Sequence, residues 1–288
     1  MAPAGAFDEG DGKMAEYILL RELGNGATSH VYLAADRRDG KKYAVKCFGN
    51  CQDFEMARKE MSVAGKLRHP GIPVFREAEE KTNGGRIIME YVPGMTWKEH
   101  LRKRGVLSEA QAVAWGMELC DILSYMHRQD PSVIYRDLKP ANLMITPAGH
   151  VKLIDFGALV IGTDGAGIAA EPIGTKGFAA PEQFVRNGRV DTRTDVYGFG
   201  ATMLQMMTGR HPAQGHGKQL GGRRGRGRLS EKMRAILGKC LQLEPDRRYR
   251  FCEEIKRDLE IPGSPGDFAG TFRITRSHMW CSRDLPVC

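Results

Sequence analysis

The sequence lacks the features of membrane and secreted proteins. No run of about 18 consecutive apolar residues occurs in its 288 residues, so we expect no membrane-spanning helix. The first residues, MAPAGAFDEGDGKMAEY, are small, acidic and rich in glycine, without the basic start and apolar stretch of a signal peptide. We therefore expect a cytoplasmic protein.

Cysteine occurs without any regular spacing. The seven cysteines are an odd number, and no two of them form a Cys-x-x-Cys pair. A disulfide framework and a zinc site are therefore not indicated, and we interpret the cysteines as reduced thiols of a cytosolic protein.

Charge and composition leave the class of partner open. The formal net charge of +8 would suit an acidic partner, but a basic excess that is spread along the chain usually belongs to the solvated surface. Hydrophobic residues make up 41% of the chain, enough for one large domain or for two lobes that share an interface. The oligomeric state cannot be inferred from these properties.

Hydrophobic patterning divides the chain into a β-rich part and an α-rich part. Strand-like segments dominate residues 16–92, with one helix predicted at 54–67, and helical periodicity dominates residues 93–261. Residues 1–15 are predicted to be a disordered lead-in, and the tail 262–288 shows no clear periodicity.

A glycine-rich turn is predicted between the first two strands, where residues 24–31 read GNGATSHV. Glycine allows backbone amides to approach phosphate oxygens because no Cβ stands in the way. An ordinary hairpin turn explains the segment as well, and Ser29 stands where the phosphate-binding pattern has its third glycine.

A lysine follows in the interior of a predicted strand, AVK at residues 44–46. A buried ammonium group is costly without a partner, and the next helix offers Glu55 and Glu60. Glu60 has the spacing expected of a residue that reaches back to Lys46. A surface lysine and a surface helix remain the alternative for either residue alone.

Two segments in the second half carry the clearest chemistry: YRDLKPAN at residues 135–142 and IDFG at 154–157. Phosphoryl transfer needs a carboxylate that orients the attacking hydroxyl, a cation near the γ-phosphate and oxygen ligands for magnesium. The side chains that supply these groups are Asp137, Lys139, Asn142 and Asp155.

On these motifs the sequence resembles the eukaryotic-like serine/threonine protein kinases, most of all the bacterial members, over about residues 17–261. The segments GTKGFAAPE, DVYGFG and EPDRR further along the chain resemble the same family. The resemblance implies an α+β fold of two lobes, a small β-rich N-lobe with one helix (16–92) and a larger α-helical C-lobe (93–261). It also implies signalling by phosphorylation of protein substrates at serine or threonine.

The resemblance assigns roles to single residues. Asp137 would be the catalytic aspartate, Lys139 the cation at the γ-phosphate, and Asn142 and Asp155 the ligands of Mg²⁺. The residues expected to bind ATP are Leu23, Gly24, Gly26, Val31, Ala44, Lys46, Glu60, Met89, Glu90, Val92 and Met144.

The resemblance also implies two contacts within the large lobe. Glu182 is expected to pair with Arg248, although 66 positions separate them. Thr175 is expected to steady Asp137 and Lys139, so a modification of Thr175 should inhibit the protein.

Arg136 raises a question of regulation, since an arginine before the catalytic aspartate usually binds a phosphate on the segment that follows. Glu171 offers a fixed negative charge on that segment, and Thr163 is its remaining candidate switch. We hypothesise that phosphorylation of this segment is not required and that Glu171 or solvent partly satisfies Arg136. In the alternative, which is equally open, Glu171 is merely exposed to solvent and Arg136 no longer binds a phosphate.

Three other functions compete with this interpretation. A pseudokinase that only binds nucleotide is the main alternative, but every catalytic position is filled. A small-molecule phosphotransferase would lack the segment GTKGFAAPE. A nucleic-acid-binding function would rest on the glycine- and arginine-rich segment 215–228, where no aromatic residues are interleaved for base stacking, so we favour a solvated loop.

Overall fold

A five-stranded antiparallel sheet forms the first part of the chain, with strand order β1-β2-β3-β5-β4. Its strands are β1 Tyr17–Asn25, β2 Ser29–Asp36, β3 Lys42–Phe48, β4 Phe75–Lys81 and β5 Gly84–Glu90. One face of β3 and β5 packs against helix α1, Cys51–Ala64, which Asn50 caps by accepting a hydrogen bond from the amide of Asp53. The sheet therefore has one helix on one face, as the sequence predicts, although the helix begins and ends three residues earlier than the predicted 54–67.

The computed structural model describes residues 16–26, 28–162, 166–168, 174–185, 189–215 and 229–260. The predicted lead-in 1–15, the tail 262–288 and most of the glycine- and arginine-rich segment 215–228 lie outside the described residues.

The second part of the chain is built around helices. The helices within the described residues are α2 Trp97–Arg104, α3 Glu109–His127, α4 Thr192–Thr208, α5 Glu231–Cys240 and α6 Cys252–Leu259. Helix α4 is buried on nearly all sides and forms the centre of the helical part. Its glycines permit this close packing: a Cβ on Gly200 would lie 2.6 Å from Cβ of Cys240, and one on Gly198 would lie 3.0 Å from Cβ of Leu138. The α+β, two-lobed fold predicted from the sequence is confirmed.

Short strands flank the motif-bearing segments of the second part of the chain. Strands β6 Met95–Thr96, β8 Leu143–Ile145 and β9 Val151–Leu153 form one small sheet, β7 Ser132–Ile134 pairs with β10 Val160–Gly162, and β11 Ala166–Ile168 pairs with β12 Arg189–Asp191. Because β8 and β9 are antiparallel neighbours, the segment before β8 and the segment after β9 lie side by side. The motifs YRDLKPAN and IDFG are brought together in this way.

No helix within the described ranges is both long and apolar enough to cross a lipid bilayer.

Candidate active site

A cavity of about 420 Å³ lies between the sheet and the helical part of the chain. It is lined by twelve of the thirteen residues predicted to bind ATP or magnesium: Leu23, Gly24, Gly26, Val31, Ala44, Lys46, Met89, Glu90, Val92, Asn142, Met144 and Asp155. Glu60 does not line this cavity, but it lines a smaller adjoining one together with Lys46 and Asp155. The size of the cavity suits a ligand as large as a nucleotide.

Asp137 is held by three neighbouring side chains. Lys139 Nζ donates to Asp137 Oδ2 at 2.6 Å, and Thr175 Oγ1 donates to Asp137 Oδ1 at 2.9 Å. Lys139 Nζ also donates to Thr175 Oγ1 at 3.0 Å, and Asn142 Nδ2 donates to Asp137 Oδ2 at 2.9 Å. This network fixes a carboxylate next to a cation, and it includes the predicted contact of Thr175 with both residues.

Asp195 anchors the segment that carries Asp137. This carboxylate is buried and accepts hydrogen bonds from the amides of Tyr135 at 2.8 Å and Arg136 at 2.7 Å. The ring of His127 contacts the same carboxylate, with 2.7 Å between Nε2 and Oδ2. On the other side, Gln183 Nε2 donates to the carbonyl of Arg136 at 3.0 Å. The backbone before Asp137 is therefore fixed from two elements, α4 and the turn at Gln183.

Tyr135, the first residue of the segment YRDLKPAN, is buried. Its ring lies edge-on to that of Phe156, with 5.7 Å between the ring centroids. Burial raises the pKa of its hydroxyl, and the charges of Asp155 and Asp137 raise it further. The ring therefore contributes packing between the two motifs and stays neutral.

Lys46 binds Asp155 and not Glu60. Its Nζ lies 3.1 Å from Asp155 Oδ1, so the predicted ion pair between Lys46 and Glu60 is wrong for this structure. Burial on its own would raise the pKa of Asp155, but Lys46 and the amide of Gly157 outweigh that effect and the pKa is lowered. Asp155 therefore stays ionised, as a metal ligand must be.

Glu60 forms no direct ion pair in the described part of the chain, although Lys46 is close enough for its charge to act on it. Burial raises its pKa from 4.5 to about 7, a shift that the charge of Lys46 only partly offsets and that Asp155 adds to. Without bound ligands, the carboxylate of Glu60 thus changes its charge close to neutral pH.

This raised pKa predicts a dependence of stability on pH. A carboxyl group with a raised pKa in the folded state favours folding below pH 4.5, and that contribution is lost as the pH rises through about 7. We expect Glu60→Gln, measured by urea unfolding of the ligand-free protein, to remove this loss and to be the more stable form by on the order of 1–2 kcal/mol at pH 8. Glu55→Gln on the same helix is the control and should show no such gain, because Glu55 pairs with Arg58 and its pKa is lowered. A parallel pH dependence in wild type and Glu60→Gln would contradict the assignment.

Arg136 is buried, and its backbone has a φ of 68°, which lies in the left-handed region. Among the described residues, its Nε and Nη2 atoms have no hydrogen-bond partner. Burial lowers the pKa of the guanidinium, while the charges of Asp195 and Asp137 act in the opposite direction. Glu171 and Thr163 lie outside the described residues, so the hypothesis about their part in regulation stays a prediction.

The predicted pair of Glu182 and Arg248 is formed. Arg248 Nη1 and Nη2 donate to the two carboxylate oxygens of Glu182 at 2.7 and 2.9 Å, a two-pronged contact. The side chain of Arg248 is fully buried and also donates to three backbone carbonyls, those of Gln242, Arg193 and Leu243. The pair joins the end of the segment GTKGFAAPE to the loop before α6.

Two polar residues at the mouth of the cavity were not predicted. Thr96 and Glu99 both line it, and they form a reciprocal cap at the start of α2, in which Glu99 Oε2 accepts from the amide of Thr96 at 3.0 Å. The spacing Thr-x-x-Glu is the sequence signature of such a cap and would have located them. Their hydroxyl and carboxylate groups are the polar groups that a sugar ring at this end of the cavity could contact.

Comparison with known proteins gives concordant matches. The family description "Protein kinase domain" matches residues 17–259. The serine/threonine-protein kinase PknB of Mycobacterium tuberculosis is 33% identical over 267 residues, which cover 84% of this chain and 42% of PknB. The serine/threonine-protein kinase PrkC of Bacillus subtilis is 28% identical over 261 residues, covering 85% of this chain and 40% of PrkC. The chain thus spans about two fifths of the length of these relatives.

Proposed function

Because the chain belongs to the protein kinase domain family, we propose that it transfers the γ-phosphoryl group of Mg-ATP to serine and threonine hydroxyls of proteins. The observation that carries the proposal is the network around Asp137, Lys139 and Thr175, which lies beside a cavity of nucleotide size. The printed names of the relatives, which describe serine/threonine-protein kinases of bacteria, support the choice of acceptor.

The side chains near Asp155 fit a magnesium ion. Asn142 donates its amide hydrogens to the carboxylate and the carbonyl of Asp137, which leaves its Oδ1 without a hydrogen-bond donor in the described part of the chain. Asp155 offers a carboxylate whose pKa is lowered. Oxygen atoms of carboxylate and amide groups are the ligands that Mg²⁺ prefers. When bound, the ion would offset the negative charge of the phosphates.

The protein's own groups divide the remaining work. The Asp137 carboxylate orients the acceptor hydroxyl and can take its proton, since its two oxygens are fixed by Thr175, Lys139 and Asn142. The ammonium group of Lys139 places positive charge where negative charge develops on the phosphoryl group. Lys46 supplies a second cation inside the cavity, held in position by Asp155.

Removal of the metal tests the proposal. With γ-labelled ATP, excess Mg²⁺ and a generic protein acceptor such as casein, we expect labelled phosphoserine or phosphothreonine in the acceptor. An excess of EDTA should reduce the incorporation to background, because the charge of the phosphates is then not offset. Nucleotide binding without transfer to any acceptor in Mg²⁺ would favour the pseudokinase alternative and overturn the proposal.

The cellular setting follows from the same proposal. A kinase of this kind acts on protein substrates and needs ATP, which the cytoplasm provides, and free cysteines are typical of that reducing compartment. The described cysteines Cys47, Cys51, Cys120, Cys240 and Cys252 are all free thiols. We therefore keep the proposed cytoplasmic location for this domain.

A further inference from the structure

A second and larger cavity lies in the helical part of the chain. Its volume is about 880 Å³, within the range of cavities that bind ligands, and it shares no lining residue with the ATP cavity. Its walls come from the start of α4, strand β12, the loop before α6 and the turn that carries Glu182. The proposed reaction makes no use of this cavity.

Two of the arginines that line the cavity have no carboxylate partner in its wall. Four arginines and three carboxylates line it, a formal balance of +1. Arg248 is paired with Glu182, and Arg193 is paired with both Asp191 and Asp246. All three carboxylates are thereby used.

The two remaining cations are Arg189 and Arg250, and neither forms an ion pair with a carboxylate of the described chain. A guanidinium group binds phosphate oxygens through two parallel hydrogen bonds. Both side chains are exposed, so a ligand reaches them from solvent without a rearrangement of the fold.

One further group indicates the kind of ligand. Phe251 lies at the rim with 44% of its surface exposed, which gives an apolar contact next to the polar ones. The lining carries a formal charge of only +1, so a ligand with one phosphate group and an apolar neighbour fits better than a ligand with several phosphates.

We propose that this cavity binds a phosphorylated peptide segment, with the phosphate at Arg189 and Arg250 and an apolar side chain against Phe251. The cavity is connected to the proposed active site through two side chains. His127 lines the cavity and contacts Asp195, which in turn holds the backbone of Arg136. A segment bound there would lie against the side chains that position the catalytic aspartate. This site is separate from the proposed active site.

Fluorescence anisotropy of a labelled alanine-based peptide with one phosphothreonine next to a leucine tests the proposal. The measurement uses the full chain in EDTA without nucleotide. We expect saturable binding to the wild type, and a loss of affinity of about tenfold or more in the double variant Arg189→Gln, Arg250→Gln. The matched control is Arg37→Gln, Arg257→Gln, which removes two exposed arginines that do not line the cavity and should bind like the wild type. Equal affinity in both double variants would overturn the proposal.

Competitors distinguish the possible sources of the phosphate. The unphosphorylated peptide should not compete, and inorganic phosphate should compete only at far higher concentration than the phosphopeptide. Inorganic phosphate that competed as well as the peptide would show a simple anion site and overturn the peptide assignment. In a separate measurement with excess Mg²⁺ in place of EDTA, saturating Mg-ATP should leave the probe bound, and displacement would place the probe in the ATP cavity and contradict the proposal. Because the probe has no free hydroxyl to accept phosphate, its binding is independent of turnover, and a failure here is distinct from a failure of the proposed function.

Discussion

Asp137→Asn is expected to slow phosphoryl transfer by roughly 10²–10⁴-fold, the usual effect of losing a positioned general base. The amide keeps the shape of the carboxylate, and its oxygen can still accept a hydrogen bond from Lys139 or Thr175. It cannot, however, take the proton of the acceptor hydroxyl, and it removes the negative charge that orients Lys139. The measurement is the turnover number with a generic protein acceptor in saturating Mg-ATP.

Binding of Mg-ATP distinguishes a specific loss of catalysis in Asp137→Asn from misfolding of the variant. Asp137→Asn should bind Mg-ATP nearly as tightly as the wild type, because Asp137 does not line the ATP cavity. Asp155→Asn is the contrast: it should weaken binding of Mg-ATP, since Asp155 lines the cavity and is the proposed metal ligand. If both variants kept wild-type turnover, the assignment of these two residues would be wrong.

Arg248→Ala is expected to lower the free energy of unfolding by about 3–5 kcal/mol, since removal of one member of a buried ion pair leaves the other charge without its partner. Arg248 is fully buried, and its loss also removes the donors to three backbone carbonyls. Among the described residues, the remaining hydrogen bond to the Glu182 carboxylate would be that from Thr194 Oγ1, at 3.0 Å. Urea unfolding followed by circular dichroism gives the free energy directly.

Arg247→Ala is the matched control for this prediction. Arg247 is the neighbouring residue, but 71% of its side chain is exposed and its contact with Glu244 is 3.8 Å long. A surface pair of this kind contributes about 0–1 kcal/mol, so the control should unfold nearly like the wild type. Similar small losses in both variants would contradict a stabilising role for the pair of Glu182 and Arg248.

Much of the candidate site was predictable because its chemistry is contained in short segments. Asp137, Lys139 and Asn142 lie within six residues, and the backbone of a single loop brings them together. The partner of Arg248 is distant in sequence, but the resemblance to the kinase family supplied it. The division into a β-rich and an α-rich part followed from the change of hydrophobic period along the chain, and the resemblance to the kinase family implied the two lobes.

Contacts that depend on the relative position of elements were not predictable. Whether Lys46 meets Glu60 or Asp155 depends on how closely α1 lies to the sheet, and no local pattern encodes that distance. The role of Asp195 was missed for a related reason, since it binds backbone amides 59 and 60 positions away. Amides carry no sequence signal, so such an anchor is visible only in the folded chain.

The anchoring by Asp195 has a consequence for how activity and folding are coupled. The carboxylate belongs to α4, the most deeply buried helix, and it holds the loop of Asp137 by two amide hydrogen bonds. The loop cannot then fray while the centre of the helical part stays intact, so the two form one cooperative unit in unfolding. In rising denaturant, loss of catalysis should accompany the disruption of that centre and not precede it as a separate, earlier transition.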